Sequence, residues 1–204
     1  MTNKEYYDFT LKVFNGYDRV LEKNGVVLYN ISYSQNKTDE LFVLISKIVR
    51  KTNFSIADVI IWKKEKARTM PNVSQRGLTR ICEFIFVFVR KDEKETFNCN
   101  KKVICKSKGK IPIYDNVLNL IEAENKDKNS YSNKLNTATF SQQLVRKLLD
   151  IYYVGGVVYD SFMGLGTTAK ACTFRGIDYV GSEIDINQIK HFEKWKSVQT
   201  KTTF

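Results

Sequence analysis

The stretch from Val157 to Asp185 restricts the possible folds of this chain more than any other. Val157-Val158-Tyr159 is a short apolar run that ends in Asp160, and the chain then turns through Ser161-Phe162-Met163-Gly164-Leu165-Gly166 into Thr167-Thr168-Ala169. A second apolar run, Tyr179-Val180, leads to Gly181-Ser182-Glu183-Ile184-Asp185. Strand, glycine turn, small-residue helix and second strand make a βαβ unit of the nucleotide-binding type. Gly164 and Gly166 allow close backbone approach and turn geometries that a Cβ blocks, and the amides opening the next helix face whatever is held there. Ala169, Ala171 and Cys172 let that helix lie close to the sheet. Glu183, 19 residues after Gly164, ends the second strand, where a carboxylate can accept both hydroxyls of a ribose. Gly164, Gly166 and Ala169 also satisfy the looser G-x-G-x-x-A fingerprint. These residues alone therefore leave more than one nucleotide-type cofactor open, nicotinamide and flavin dinucleotides among them.

A chain of 204 residues with 43% hydrophobic and 13% aromatic content has ample material for one packed domain. It has no run of 18 apolar residues and opens on Met-Thr-Asn-Lys-Glu, without a signal-peptide pattern, so a soluble cytoplasmic protein is expected. Cys82, Cys99, Cys105 and Cys172 show no C-x-x-C spacing and His191 is the single histidine, so no metal site is expected and the thiols read as reduced. The formal charge of +11 is concentrated: residues 50–110 hold 16 Lys and Arg against 6 Asp and Glu. Such a stretch suits a polyanion-binding surface, because every phosphate it neutralises releases a counterion. A chain rich in Lys and Asn throughout can also present it as a solvated face.

Taken in order, residues 5–22 repeat apolar side chains at helical spacing and stop at Asn24-Gly25. Gly25 to Ser32 reads as a strand of the kind buried in a parallel sheet, and Thr38-Asp39-Glu40 opens a helix whose buried stripe is Leu41, Leu44, Ile45, Ile48 and Val49. Ile56–Trp62 and Ile81–Val89 read as an antiparallel pair at one sheet edge, joined by a loop holding Lys63, Lys64, Lys66, Arg68, Arg76 and Arg80. Trp62 fits a core or rim position. Residues 92–136 lack strong periodicity and are rich in Lys, Asn and Ser, with short apolar pieces at Val103-Ile104 and Ile111-Pro112-Ile113. Such a segment inside a compact domain is functional or disordered. Thr139-Phe140-Ser141-Gln142 opens a helix with Leu144, Val145, Leu148 and Leu149 inward, and a last helix carries Ile186, Ile189, Phe192 and Trp195, with His191 exposed on it.

Asp-Ser-Phe-Met-Gly-Leu-Gly-Thr-Thr at 160–168, followed by Tyr-Val-Gly-Ser-Glu-Ile at 179–184, resembles the S-adenosylmethionine motif of the amino-methylating DNA methyltransferases. The family usually has proline where Ser161 stands. The permuted, β-type members are also resembled by "RVLEKNG" before the Gly25 strand, "IIWKK" ending the second strand and "LTRICEFIFVFVRK" beginning the third. Asn136-Thr137-Ala138-Thr139-Phe140-Ser141 stands where the family usually has His-Pro-x-x-Phe-Pro, and only Phe140 is kept clearly. The resemblance implies a single α/β Rossmann-like domain with a mostly parallel sheet and an antiparallel edge hairpin. It implies S-adenosylmethionine as cofactor, held by Asp160, Phe162, Met163, Gly164, Gly166, Thr167, Thr168, Glu183 and Phe140. Double-stranded DNA is the implied partner, met by Lys63, Lys64, Arg68, Arg76, Arg80, Lys101 and Lys102, with 92–136 in the place of the variable target-recognition segment. The expected reaction is direct methyl transfer to the exocyclic amine of adenine (N6) or cytosine (N4).

The family's catalytic tetrapeptide, (Asp/Asn/Ser)-Pro-Pro-(Tyr/Phe/Trp), is not in these residues. The two prolines are in Met70-Pro71-Asn72 and Ile111-Pro112-Ile113. In the family the tetrapeptide ends a central strand, placed between the strands that correspond to Val157 and Gly25 here. Without it two strand edges are expected to stand unpaired. Three expectations follow from its absence: an upstream segment, a partner chain or second copy that supplies the strand, or a degenerate relative that only binds cofactor and DNA.

Overall fold

A computed structural model of the chain describes residues 2–32, 38–65, 78–107, 109–115, 117–127, 135–136 and 139–201. They form two compact units, Met1–Glu122 and Ala123–Phe204.

The first unit begins with helix α1 (Asn3–Val20), which starts where Thr2 and Glu5 cap each other's backbone. The Glu5 amide donates to Thr2 Oγ1 at 3.3 Å and the Thr2 amide to Glu5 Oε2 at 2.7 Å, which satisfies two of the free amides at the helix start. Strand β1 (Val27–Ile31), helix α2 (Thr38–Lys51), strand β2 (Phe54–Glu65) and strand β3 (Cys82–Arg90) follow. The apolar stripes of α1 and α2 meet the strands in one core of Phe14, Leu41, Leu44, Ile45, Ile48, Phe54, Phe86 and Phe88. Phe14 is at its centre, edge-on to Phe88 and Phe54 with ring centroids 5.0 and 5.6 Å away. Truncating a ring buried like this costs about 3–5 kcal/mol. Arg90, at the end of β3, donates to the carbonyls of Asp18 and Leu21 at 2.8 and 2.6 Å and to Asp18 Oδ1 at 2.7 Å. The C-terminal carbonyls of α1 thereby gain a charged donor.

The strand order is β1-β3-β2-β6, where β6 is Leu120–Glu124. β2 and β3 are antiparallel, as the sequence predicts, but β3 lies between β1 and β2 and not at an edge. The Gly25–Ser32 strand therefore pairs antiparallel with β3 (Leu28 opposite Val87), where the sequence suggested a parallel neighbour. β1 and β2 still run in the same direction, each antiparallel to the strand inserted between them. An apolar run reports burial, not the direction of its neighbour. Trp62 is a core residue, 2% exposed. Part of 92–136 is ordered as strand: besides β6, Val103–Lys106 (β4) and Pro112–Tyr114 (β5) form a separate antiparallel ribbon whose residues are all exposed.

The second unit holds α3 (Gln142–Tyr152), β7 (Val158–Asp160), α4 (Thr167–Thr173), β8 (Tyr179–Gly181) and α5 (Ile186–Lys201). Ser141 caps α3, its Oγ accepting the Leu144 amide at 3.2 Å. β7 and β8 pair in parallel, Asp160 opposite Gly181, as the βαβ reading requires. Val145, Leu149, Ala171, Cys172 and Ile177 make the core of this unit, with Val158 and Tyr179 packed on it. Tyr159 and Val180 alternate to the other face and are 45% and 55% exposed. Among the described residues β1 pairs only with β3 and β7 only with β8.

Among the described residues no helix is long and apolar enough to cross a membrane, and no group of three or more His, Cys, Asp and Glu is placed to hold a metal ion.

Candidate functional site

The turn after β7 is built by its own sequence. Asp160 Oδ1 accepts the Phe162 amide at 3.1 Å, bending the chain out of the strand. Met163 then donates its amide to the Ser182 carbonyl at 2.9 Å, and Ser182 donates to the Asp160 carbonyl at the same distance. These bonds tie the turn to the chain just past β8. Gly164 and Gly166 both take left-handed backbone angles, φ +56° and +77°. A Cβ on Gly166 would lie 2.2 Å from Phe192 Cδ2, and one on Gly164 would lie 3.1 Å from Asn136 Nδ2 and 3.4 Å from Gln188 Oε1. The glycines thus serve conformation and close packing together. α4 spans only seven residues, so the macrodipole behind the turn is short.

Glu183 faces this turn. Its Oε2 accepts the Gly164 amide at 2.7 Å, and its Oε1 accepts the amides of Ile184 and Asp185, both at 2.9 Å. Oε2 takes a single N–H and keeps acceptor capacity. Asp185 accepts the Asn187 amide at 2.9 Å, and this bond is the main reason its carboxyl lies below the ordinary aspartate value.

The structure brings Asp160, Met163, Gly164, Gly166 and Glu183 together around this turn. Thr167 is buried at the start of α4 with Thr168 half-buried beside it, while Phe162 is 59% exposed. Phe140 packs on the Val145–Cys172 core. Three residues of this neighbourhood are not among the expected site residues, although Asn136 opens the segment that stands where the family has His-Pro-x-x-Phe-Pro. Asn136 donates to Gln188 Oε1 at 2.9 Å beside Gly164, and Phe192 lies against Gly166. Phe192 is legible only as one apolar position of α5, and nothing in the sequence marks Asn136 and Gln188 as a pair.

In the first unit, Lys63 pairs with Glu122 and Lys64 with Glu83, the latter at 2.5 Å. Lys64 Nζ also lies 5.3 Å from the centroid of the Trp62 ring. Two of the expected phosphate contacts therefore already have carboxylate partners. Lys101 and Lys102 are exposed at the foot of the β4–β5 ribbon, and Arg80 is half-buried before β3. Arg68 and Arg76 lie outside the described residues.

A family model described as DNA methylase, for the N6 and N4 type, matches residues 2–194. The type II methyltransferase M.MthZI of Methanothermobacter thermautotrophicus is 25% identical over 195 residues, 86% of this chain and 55% of that protein. The type II methyltransferase M.MjaI of Methanocaldococcus jannaschii is 28% identical over 183 residues, 82% of this chain and 59% of that protein. The chain thus spans little more than half the length of these relatives. Among solved structures, an M1.HpyAVI–SAM complex aligns with a TM-score of 0.63 at 22% identity, over 90% of this chain and 80% of that one. The cytosine-N4-specific PvuII DNA methyltransferase aligns with a TM-score of 0.69 at 16% identity, over 90% of this chain and 67% of that one. At such identities these likenesses show the fold, which is Rossmann-like.

Proposed function

Because the chain belongs to the DNA methylase family of the N6 and N4 type, we propose that it takes part in methyl transfer from S-adenosylmethionine to an exocyclic amine of double-stranded DNA, adenine N6 or cytosine N4. The observation that carries the reading is the Glu183 carboxylate set against a turn whose two glycines take left-handed angles, with no room for a Cβ on Gly166. Asp160, Phe162, Met163, Gly164, Gly166, Thr167 and Thr168 line the methionine side, Phe140 adds a contact, and Glu183 takes the ribose hydroxyls through the capacity left on its oxygens. When bound, S-adenosylmethionine supplies an electrophilic methyl group on a sulfonium, so direct displacement needs no covalent enzyme intermediate.

Lys63, Lys64, Arg68, Arg76, Arg80, Lys101 and Lys102 meet phosphates, and residues 92–136 are the target-recognition segment. The β4–β5 ribbon supports this: a lone two-stranded ribbon is marginal in water, and a two-stranded ribbon fits the DNA major groove. The amine-positioning tetrapeptide arrives on a further strand, from elsewhere in the same polypeptide, from a partner chain or from a second copy. The edges of β1 and β7, singly paired among the described residues, and the half-exposed Tyr159 and Val180 favour such an addition.

Calorimetry with S-adenosylhomocysteine, NAD and FAD tests the cofactor, with binding expected for the first alone. A tritiated-methyl assay on unmethylated genomic DNA tests the reaction. The 204-residue chain is expected to be inactive, and a form carrying an upstream strand that ends in Pro-Pro-aromatic to be active. Turnover by the unextended chain would place catalysis on other residues, and inactivity of both forms would favour a remnant that binds without catalysing.

A further inference from the structure

The first unit carries a groove of about 400 Å³ between α1 and α2. Lys4, Tyr7, Asp8 and Leu11 of α1 and Lys47 and Lys51 of α2 line it. Positions 4, 7, 8 and 11 share one face of α1, and Lys47 and Lys51 stand one turn apart on α2. Three ammonium groups here meet one carboxylate. Lys4 approaches Asp8 at 3.7 Å, with both side chains mostly exposed, so that pairing is weak. Among the described residues neither Lys47 nor Lys51 has a carboxylate partner. Like charges at this spacing repel, and an anion between them would turn the repulsion into attraction.

A second observation points the same way. The Tyr7 hydroxyl is buried and has no hydrogen-bond partner, an uncommon state for a hydroxyl. Lys47 Nζ lies 5.3 Å from the centroid of the Tyr7 ring, which brings ammonium and phenol to the same wall. The Tyr7 ring and Leu11 give the groove a floor of low polarity, where charge-assisted hydrogen bonds are stronger than in open water.

We propose that this groove binds a phosphoryl group, with Lys47 and Lys51 donating to its oxygens beside the Tyr7 ring. Several acceptor oxygens on one centre match several convergent donors, which a monoanionic carboxylate satisfies less fully. The phosphoryl group can belong to a DNA backbone or to a small phosphorylated molecule. Neither Lys47 nor Lys51 is among the residues assigned to DNA phosphates above, although Lys51 falls within the basic stretch 50–110.

Calorimetric titration of the full chain with inorganic phosphate at low ionic strength is the test. Lys47→Gln/Lys51→Gln is expected to lose at least about tenfold in phosphate affinity. No phosphate binding by the wild type, or equal binding by the double-lysine variant, overturns the proposal. Duplex titrations across salt concentrations then identify the source. A salt slope shallower by about 1.8 in the double variant, for two lost contacts, assigns a DNA phosphate, and an unchanged slope with lost phosphate binding assigns a small ligand. If the wild type binds no duplex at all, the DNA reading fails while the phosphate titration still decides the groove.

Discussion

The Glu183 carboxylate holds the Gly164 amide at 2.7 Å across 19 residues of chain, so the residue proposed to receive a ribose also locks the glycine turn. With the amides of Ile184 and Asp185 it accepts three backbone donors. Turn closure and the proposed ligand recognition therefore share one side chain.

Replacing Glu183 by Ala is expected to weaken S-adenosylhomocysteine binding by about 1.5–3 kcal/mol and to lower the melting temperature, since three amides lose their acceptor together. Glu183→Gln keeps an acceptor oxygen without the charge and is expected to fall between. Calorimetry and thermal melts separate the two roles. Unchanged affinity in Glu183→Ala would remove this residue from the donor site.

Gly166→Ala is expected to destabilise the protein by more than about 2 kcal/mol, from the left-handed backbone and from the 2.2 Å approach of a Cβ to Phe192. Adding Phe192→Ala frees the space but not the backbone angle. The double variant should thus be more stable than the sum of the two single losses predicts. Strict additivity in urea unfolding would show that Phe192 does not rest on Gly166.

The βαβ unit was legible because its determinants are local: an apolar run, an Asp, two glycines and a carboxylate at fixed spacing. The helices were legible for a similar reason, since Leu41, Leu44, Ile45 and Ile48 recur at helical spacing and lie together in the core. The position of β3 was not. Ile85 to Val89 is continuously apolar and buried, and such a run fits a central strand of either direction, so nothing local places it between β1 and β2. The Asn136–Gln188 contact spans 52 residues and joins polar side chains of no special pattern. The pairing of Lys63 and Lys64 was hidden too, because Glu122 and Glu83 reach them only once the strands are aligned.

That pairing alters the expected DNA response. A lysine that leaves a carboxylate to meet a phosphate exchanges one partner for another, whereas Lys101 and Lys102 at the ribbon have no such competitor among the described ion pairs. Lys101→Gln/Lys102→Gln should therefore flatten the salt dependence of duplex binding by close to 0.9 per contact, and Lys63→Gln/Lys64→Gln by less. Titrations of duplex DNA at several salt concentrations measure both slopes. Equal losses would show that the two ion pairs open freely on binding.

Cys172 gives the last prediction. It is 0% exposed on α4, and burial, with the Asp160 carboxylate adding to it, pushes its thiol up to about 11 from an ordinary 9.0. The folded state therefore favours the neutral thiol. Its stabilising contribution is complete below pH 9.0 and is lost as the pH rises from there through about 11, because the unfolded chain releases that proton first. Urea midpoints of the wild type should fall more steeply above pH 9.0 than those of Cys172→Ala, in which this proton does not exist. The same burial governs reactivity, since the thiolate is the nucleophile. An alkylating reagent near neutral pH should modify the exposed Cys105 in the folded protein and reach Cys172 only on unfolding. Mass spectrometry of the two cysteine peptides reads this directly, and equal labelling in the folded chain would mean that α4 does not pack on the α3 and β7 core as described.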